Sequence, residues 1–292
     1  MSSSYYFNIK LLNQNTNQNT NQNQLKPFIK WVGGKSKISQ QILQIILKIS
    51  KNKETYCEPF IGRGAVLFEI VNNIHLFKFN KFIINDINTT LINTYKYIKT
   101  NINELINELK ILETLNDKNN YSNIRNEYNN INESIHKSAL FIYLNKTCFR
   151  GLYRVNKSNE FNVPYGNYKA LNFDYDNLIH IHNTFNNPNI TFEFYNLEYS
   201  ELLQNKNCVY YLDPPYFETF NDYSSNNFDS NKFYNIISTI LNENNQNLIF
   251  SNSIEFSNTF DLSLFNKIEI TLNDSINSKN PNNIRHEILC YI

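Results

Sequence analysis

Apolar residues recur in this chain at two different spacings, and their order along the sequence outlines a fold. From Ser36 to Ser50, Ile38, Ile42, Leu43, Ile45, Ile46 and Ile49 return at helical intervals, which predicts a helix. Tyr56-Cys57 is a short strand end running into Glu58-Pro59-Phe60-Ile61-Gly62-Arg63-Gly64, after which Ala65 to Val71 reads as a second helix. Lys81 to Asn85 is another strand and stops at Asp86. A strand, a glycine turn, a helix and a strand closed by an acid together form a nucleotide-binding βαβ unit.

Asn88 to Ser138 is polar and helix-rich, and Ala139 to Asn145 is an apolar helix leading into Lys146-Thr147-Cys148-Phe149-Arg150-Gly151-Leu152-Tyr153-Arg154. Phe161 to Gly166 reads as a loop or hairpin. The strand pattern resumes at Ile190 to Phe194, Cys208 to Leu212 and Leu248 to Ser251, with closing strands expected at Lys267 to Thr271 and His286 to Ile292. The expected fold class is α/β, with helices on both faces of the sheet and an insertion interrupting it. The expected divisions are a leader over 1–24, a main domain built from 25–100 and 176–292, and an insertion over 101–175. Asn13 to Gln24, NQNTNQNTNQNQ, has nothing to bury and is expected to be disordered.

Composition alters this outline little. A chain of 292 residues holds one large domain or one domain with a sizeable insertion, and 41% hydrophobic residues with 20 Tyr and 22 Phe suffice for a core. The abundance of Asn, Ile and Lys reads as the codon usage of an AT-rich genome. A net charge of +1 gives no broadly basic surface, so any nucleic-acid contact must come from local clusters. Cys57, Cys148, Cys208 and Cys290 are scattered, which argues against a disulfide framework or a zinc site. No apolar run approaches the ~20 residues that a bilayer requires. Met1 to Lys10 lacks the pattern of a signal peptide. A soluble, intracellular protein without metal or membrane partners is expected, as a monomer or a weak dimer.

Three segments carry candidate chemistry. Gly62 and Gly64 permit close backbone approach at a strand end, although Leu67 stands where a full GxGxxG pattern has its third glycine. A plain tight turn would explain this pair of glycines as well. Asp86, 22 residues past Gly64 at the next strand end, suits the hydroxyls of a ribose, or else caps a helix. Gly33-Gly34-Lys35-Ser36 invites a phosphate-loop reading, but that motif needs a glycine where Ile29 stands. A glycine-opened helix start is the plainer reading. Asp213-Pro214-Pro215-Tyr216 follows the apolar strand Val209-Tyr210-Tyr211-Leu212. Its two prolines fix the backbone past the sheet edge, so one carboxylate and one carbonyl can hold an exocyclic amine such as adenine N6. Tyr216 offers a ring for a base to stack upon, and a base reaches such a corner only by leaving the duplex. Lys146, Phe149, Arg150, Tyr153, Arg154 and Lys157, then Tyr165, Tyr168 and Lys169, interleave cations with rings. That composition suits phosphate and base contacts, or equally a solvated helix face.

Taken in order, these segments resemble the Dam-type (D12 class, α-group) adenine-N6 DNA methyltransferases over nearly the whole chain after the leader. The matching stretches are Phe28 to Lys35, Glu58 to Gly64, Asn85 to Asn88, Tyr143 to Lys146 with Gly151 to Arg154, Glu160 to Gly166, and Asp213 to Tyr216. The resemblance implies a Rossmann-like methyltransferase sheet with an inserted, mostly helical DNA target-recognition domain carrying a hairpin loop. It implies S-adenosylmethionine as cofactor and double-stranded DNA as partner. Trp31, Gly33, Gly34 and Lys35 would close over the methionine end of the cofactor. Glu58, Pro59, Phe60, Gly62 and Gly64 would line it, and Asp86 would hold its ribose. Asp213, with Pro214, Pro215 and Tyr216, would carry catalysis and also adjoin the cofactor. Lys30, Arg150, Leu152, Arg154 and Tyr165 fall where the family touches DNA, and Phe149 falls where a ring supports the displaced duplex. Many relatives have Asn in place of Arg150, which bears on the target sequence, for which GATC or CATG is the guess. The rival readings are a cytosine-N4 or RNA amine methyltransferase, and an inactive relative that binds DNA.

Overall fold

The strand-forming runs pair into one seven-stranded sheet. The architecture comes from a computed structural model, which describes residues 24–31, 33–204, 207–217, 228–242, 247–273 and 284–292. The leader expected over 1–24 lies outside the described residues apart from Gln24. The strands are β1 (Thr55–Glu58), β2 (Lys81–Asn85), β3 (Thr191–Tyr195), β4 (Cys208–Leu212), β5 (Leu248–Ser253), β6 (Asn266–Asn273) and β7 (Ile284–Tyr291), in the order β3-β2-β1-β4-β5-β7-β6. The first five run parallel, and β7 lies antiparallel to both β5 and β6.

β4 is buried at every position. A central strand of a parallel sheet covered on both faces has that character. Its side chains alternate between layers: Val209 and Tyr211 join one apolar cluster, while Cys208, Tyr210 and Leu212 join the other. β6, at the edge, carries the ion pair Lys267–Glu269. Charges on an edge strand discourage pairing with a further chain.

The first cluster is closed by α1 (Ser39–Ser50), α2 (Ala65–Asn72), α3 (Thr89–Thr100) and, later in the chain, α7 (Tyr175–Phe185). Between α3 and α7 come α4 (Ile102–Glu113), α5 (Lys118–Asn130) and α6 (Ile135–Thr147). The second cluster is closed by α8 (Ser230–Asn242) and α9 (Ile254–Thr259). α1 starts at Ser39, not at Ser36 as its apolar spacing predicts, because Lys35–Lys37 wind into a tighter 3-10 turn that buries Lys35.

α6 is the buried centre of the segment 101–175. Ser138 through Asn145 are all buried, so over these residues the helix turns no side to solvent, and α3, α4 and α5 pack around it. Beyond α6 the chain forms the expected hairpin, bridged at Cys148–Tyr165 and Val155–Phe161. The Tyr121 hydroxyl on α5 donates to the Val163 carbonyl and ties that hairpin down. Among the described residues all four cysteines are free and buried, and no helix is long and apolar enough to cross a membrane.

Candidate active site

β1 and β4 are neighbours, with Cys57 beside Tyr210, so the turns that leave their carboxyl ends lie side by side. The sheet order reverses here: β2 and β3 extend from β1, while β5 extends from β4. Ligands of open α/β sheets bind beyond the strand ends at such a reversal.

Asp213 leaves β4 at this point. Lys35 Nζ lies 2.7 Å from Asp213 Oδ1, and the Ser251 hydroxyl donates to the same oxygen at 2.7 Å. Among the described residues no partner takes Oδ2. The Tyr211 hydroxyl stands 3.2 Å from Ser251 Oγ. Lys35 also donates to the Gly33 carbonyl at 2.8 Å, and Gly33 adopts φ 75°, the left-handed turn that curls the loop back on its lysine. Lys35 is 4% exposed, so this loop closes on a carboxylate inside the protein and is no phosphate cradle. Burial pushes the Asp213 carboxyl above the usual carboxylate range, against the opposing pull of Lys35 and Ser251.

Tyr216 is pinned at its far end, where its hydroxyl donates to Glu287 Oε2 at 2.8 Å. Its ring lies 4.7 Å from Lys35 Nζ, a cation–π contact. The chain after the prolines is fixed by β5: Phe217 N–H donates to Asn252 Oδ1, and the Ser253 hydroxyl donates to the Phe217 carbonyl.

The glycine turn docks on Asp86. Gly62 N–H donates to Asp86 Oδ2 and Asn88 N–H to Oδ1, both at 3.0 Å. Burial nevertheless pushes the Asp86 carboxyl up to about 6. At Gly62, φ is 47° and a Cβ would come 2.9 Å from Trp31 Cδ1, so glycine is required by the indole packed on the turn. Gly64 carries φ 74° as the cap of α2. Gly34 abuts the Arg63 side chain. Phe60 is half-buried with its ring 5.1 Å from Tyr199, and the Pro59 carbonyl accepts from Asn85 Nδ2. Glu58 is closed beneath the turn at 2% exposure and accepts from the Tyr56 hydroxyl at 2.9 Å. Burial raises its carboxyl well above the ordinary range.

The third group adjoins the other two through Trp31, whose indole stacks on Tyr153 at 4.9 Å and 15°. Asn145, buried on α6, accepts from Lys30 N–H and donates to the Lys30 carbonyl, both at 2.8 Å. Lys30 itself is exposed, and its side chain crosses Gly151, where a Cβ would collide with it. Phe149 is 48% exposed, with the Arg150 guanidinium 5.3 Å from its ring. Arg150 holds φ 61°, and its N–H donates to the Tyr168 hydroxyl. Leu152 is half-buried against the core. Arg154 Nε donates to Asn162 Oδ1, and the Tyr165 hydroxyl donates to Asn116 Oδ1, so both side chains brace the hairpin.

The structure thus brings Gly33, Lys35, Asp213 and Tyr216 together, with Glu58 at the foot of the glycine turn close to Lys35 and Asp213, and with Trp31 and Asp86 both meeting Gly62. Lys30, Phe149, Arg150 and Leu152 cluster next to them. Sequence reasoning missed Tyr211, Ser251 and Glu287 as parts of this site. The available signals were a lone acid in an apolar closing strand and small polar residues ending the apolar run of β5. Among the described residues no cluster of three or more His, Cys, Asp or Glu side chains could hold a metal ion.

A sheet of this order, with a buried lysine paired to a partly exposed aspartate at its reversal point, fits a methyltransferase-like α/β enzyme. The family model for D12 class N6 adenine-specific DNA methyltransferases matches residues 31–278, and the chain belongs to that family. It is 37% identical to the type II methyltransferase M.MjaIII of Methanocaldococcus jannaschii, over 79% of this chain and 85% of that protein. It is 34% identical to a DNA adenine methylase of Haemophilus influenzae over 70% of each chain. With the type II methyltransferase M.CviBI of Paramecium bursaria Chlorella virus NC1A it shares 27% identity over 80% of this chain and 85% of that protein. The protein is an adenine-specific DNA methyltransferase.

Proposed function

We propose that the protein moves the methyl group of S-adenosylmethionine to N6 of an adenine turned out of a short duplex site, with Asp213 holding the amine. The observation that carries this reading is the asymmetry of the Asp213 carboxylate. Lys35 and Ser251 both bond Oδ1, which leaves Oδ2 as the acceptor for an N–H of the base.

The donor set fits the cofactor. Asp213 lies close to Glu58 on one side and Glu287 on the other, with Lys35 paired to it. Asp86 would accept from the ribose hydroxyls, and Trp31, Phe60 and the Gly62–Gly64 backbone would line the cofactor. When bound, S-adenosylmethionine supplies an electrophilic methyl group.

The residues of the chain do the rest by alignment and charge. Asp213 Oδ2 and the Pro214 carbonyl would take the two N–H bonds of the amine and turn its lone pair toward the methyl group. As the N–C bond forms and the C–S bond breaks, positive charge grows on N6, and the Asp213 carboxylate stabilises it. One N6 proton then leaves toward that carboxylate or solvent. Tyr216, pinned by Glu287, would stack on the base.

The segment 101–175 is proposed as the part that reads DNA, through Lys30, Phe149, Arg150 and Leu152, with Arg154 and Tyr165 shaping the hairpin. The exposed Phe149 would fill or prop the duplex where the base leaves it. A four-base target such as GATC or CATG is proposed. The test is incubation with methyl-labelled S-adenosylmethionine and plasmid DNA, followed by nucleoside analysis and sequencing of modified sites. N6-methyladenine at one short site is expected. N4-methylcytosine, labelled RNA only, or no product would overturn the reading.

A further inference from the structure

We propose that Tyr211 and Ser251 form a positioning relay that holds the Asp213 carboxylate with Oδ2 toward the substrate amine. The proposal rests on the reading of Asp213 given above and extends it to two residues that do not touch the substrate.

The relay follows from the sheet register. β4 and β5 pair in parallel, Tyr211 with Ile249 and Leu212 with Phe250, so Ser251 is the next residue along β5 beside the departing Asp213. Ser251 has one hydroxyl hydrogen and gives it to Asp213 Oδ1 at 2.7 Å. Tyr211, 3.2 Å away, must then be the donor to Ser251 Oγ. Ser251 and Tyr211 are 0% and 1% exposed, so both hydroxyls are shielded from water. With Lys35 on the same oxygen, the carboxylate is held from two directions, and its plane cannot turn freely.

The hydrogen bond also affects charge. Asp213 is surrounded by Lys35 from the glycine loop, Glu58 from β1, Tyr211 from its own strand, Tyr216 from the following turn and Glu287 from β7. Burial raises the carboxyl, and Ser251 opposes that rise by donating to the ionised form. Loss of the donor removes a contribution that favours the charged state. The Asp213 titration must then move up in pH.

The experiment compares wild type with Ser251→Ala, Ser251→Thr and Tyr211→Phe. The Asp213 carboxyl is titrated by 13C NMR in the protein without cofactor, with Asp213→Asn assigning the signal. Ser251→Ala should raise the titration midpoint by about one unit, Tyr211→Phe by less, and Ser251→Thr should restore it. The acid limb of kcat should shift the same way, with KM for DNA unchanged. An unmoved midpoint in Ser251→Ala, in a variant whose thermal unfolding matches wild type, overturns the relay. If Ser251→Ala unfolds early, the Tyr211→Phe midpoint decides, and a midpoint equal to wild type overturns it. Full turnover in Asp213→Asn overturns instead the reading of Asp213 as amine holder, whatever the midpoints.

Discussion

The indole of Trp31 stacks on the phenol of Tyr153, 4.9 Å between centroids and 15° from parallel, and it also packs on Gly62 of the glycine turn and edge-on against Phe141. One ring is thus shared between the glycine turn at the sheet end and the loop that follows α6. Tyr153→Leu removes the stack and leaves the indole half-supported. Stability should fall by about 1–3 kcal/mol in chemical denaturation. The Kd for S-adenosylmethionine, measured by calorimetry, should rise together with that for DNA. A rise in only one of them would separate the two loops.

Asn145 ties the same parts by hydrogen bonds, accepting from Lys30 N–H and donating to its carbonyl from a buried position. Asn145→Ala leaves two backbone groups without their partner and should cost about 2 kcal/mol. Asn145→Asp keeps the acceptor alone and should recover only part of that, as read from Tm.

Asp86 titrates at about 6, raised by burial and held down in part by the Gly62 and Asn88 N–H groups. A raised carboxyl is neutral below that value and charged above it, and the charged form is the better acceptor for ribose hydroxyls. Affinity for S-adenosylmethionine should be flat above pH 7 and weaken as pH falls through 6. Asp86→Asn should bind about tenfold or more weakly at pH 8 and lose this component of the pH dependence. Calorimetry across the range checks both.

Lys35 and Asp213 form a pair with side chains 4% and 20% exposed. Lys35→Met strands the carboxylate and should lower stability by about 2–3 kcal/mol, near the low end for a broken buried pair because Asp213 can protonate. Lys35→Met/Asp213→Asn should regain most of that stability and none of the activity. Recovery of methylation in the double variant would contradict the role of the carboxylate.

Arg150 holds φ 61°, a conformation that suits glycine. Arg150→Gly should therefore raise Tm slightly, by relief of about 1 kcal/mol of strain. The same change removes the guanidinium beside Phe149. Methylation should become slower and spread to near-matching sites, which sequencing of modified plasmid would reveal.

The sequence by itself determined the sheet-forming runs, the glycine turn, Asp86 and the strand-end motif at Asp213, because each depends on local spacing or on residues whose backbone limits are intrinsic. The continuous apolar run Cys208–Leu212 was enough to place a strand, and its burial at every position follows from its place in the middle of the sheet. The 3-10 turn at Lys35–Lys37 was not legible, since it arises when a lysine is drawn inward to an acid 178 positions later. Ser251 and Tyr211 look like ordinary strand residues until β5 is laid beside β4, and Glu287 reaches Tyr216 only because β7 returns antiparallel to β5. Spacing along the chain carries local preference. The partners of buried polar groups are chosen by strand order, which only the folded sheet decides.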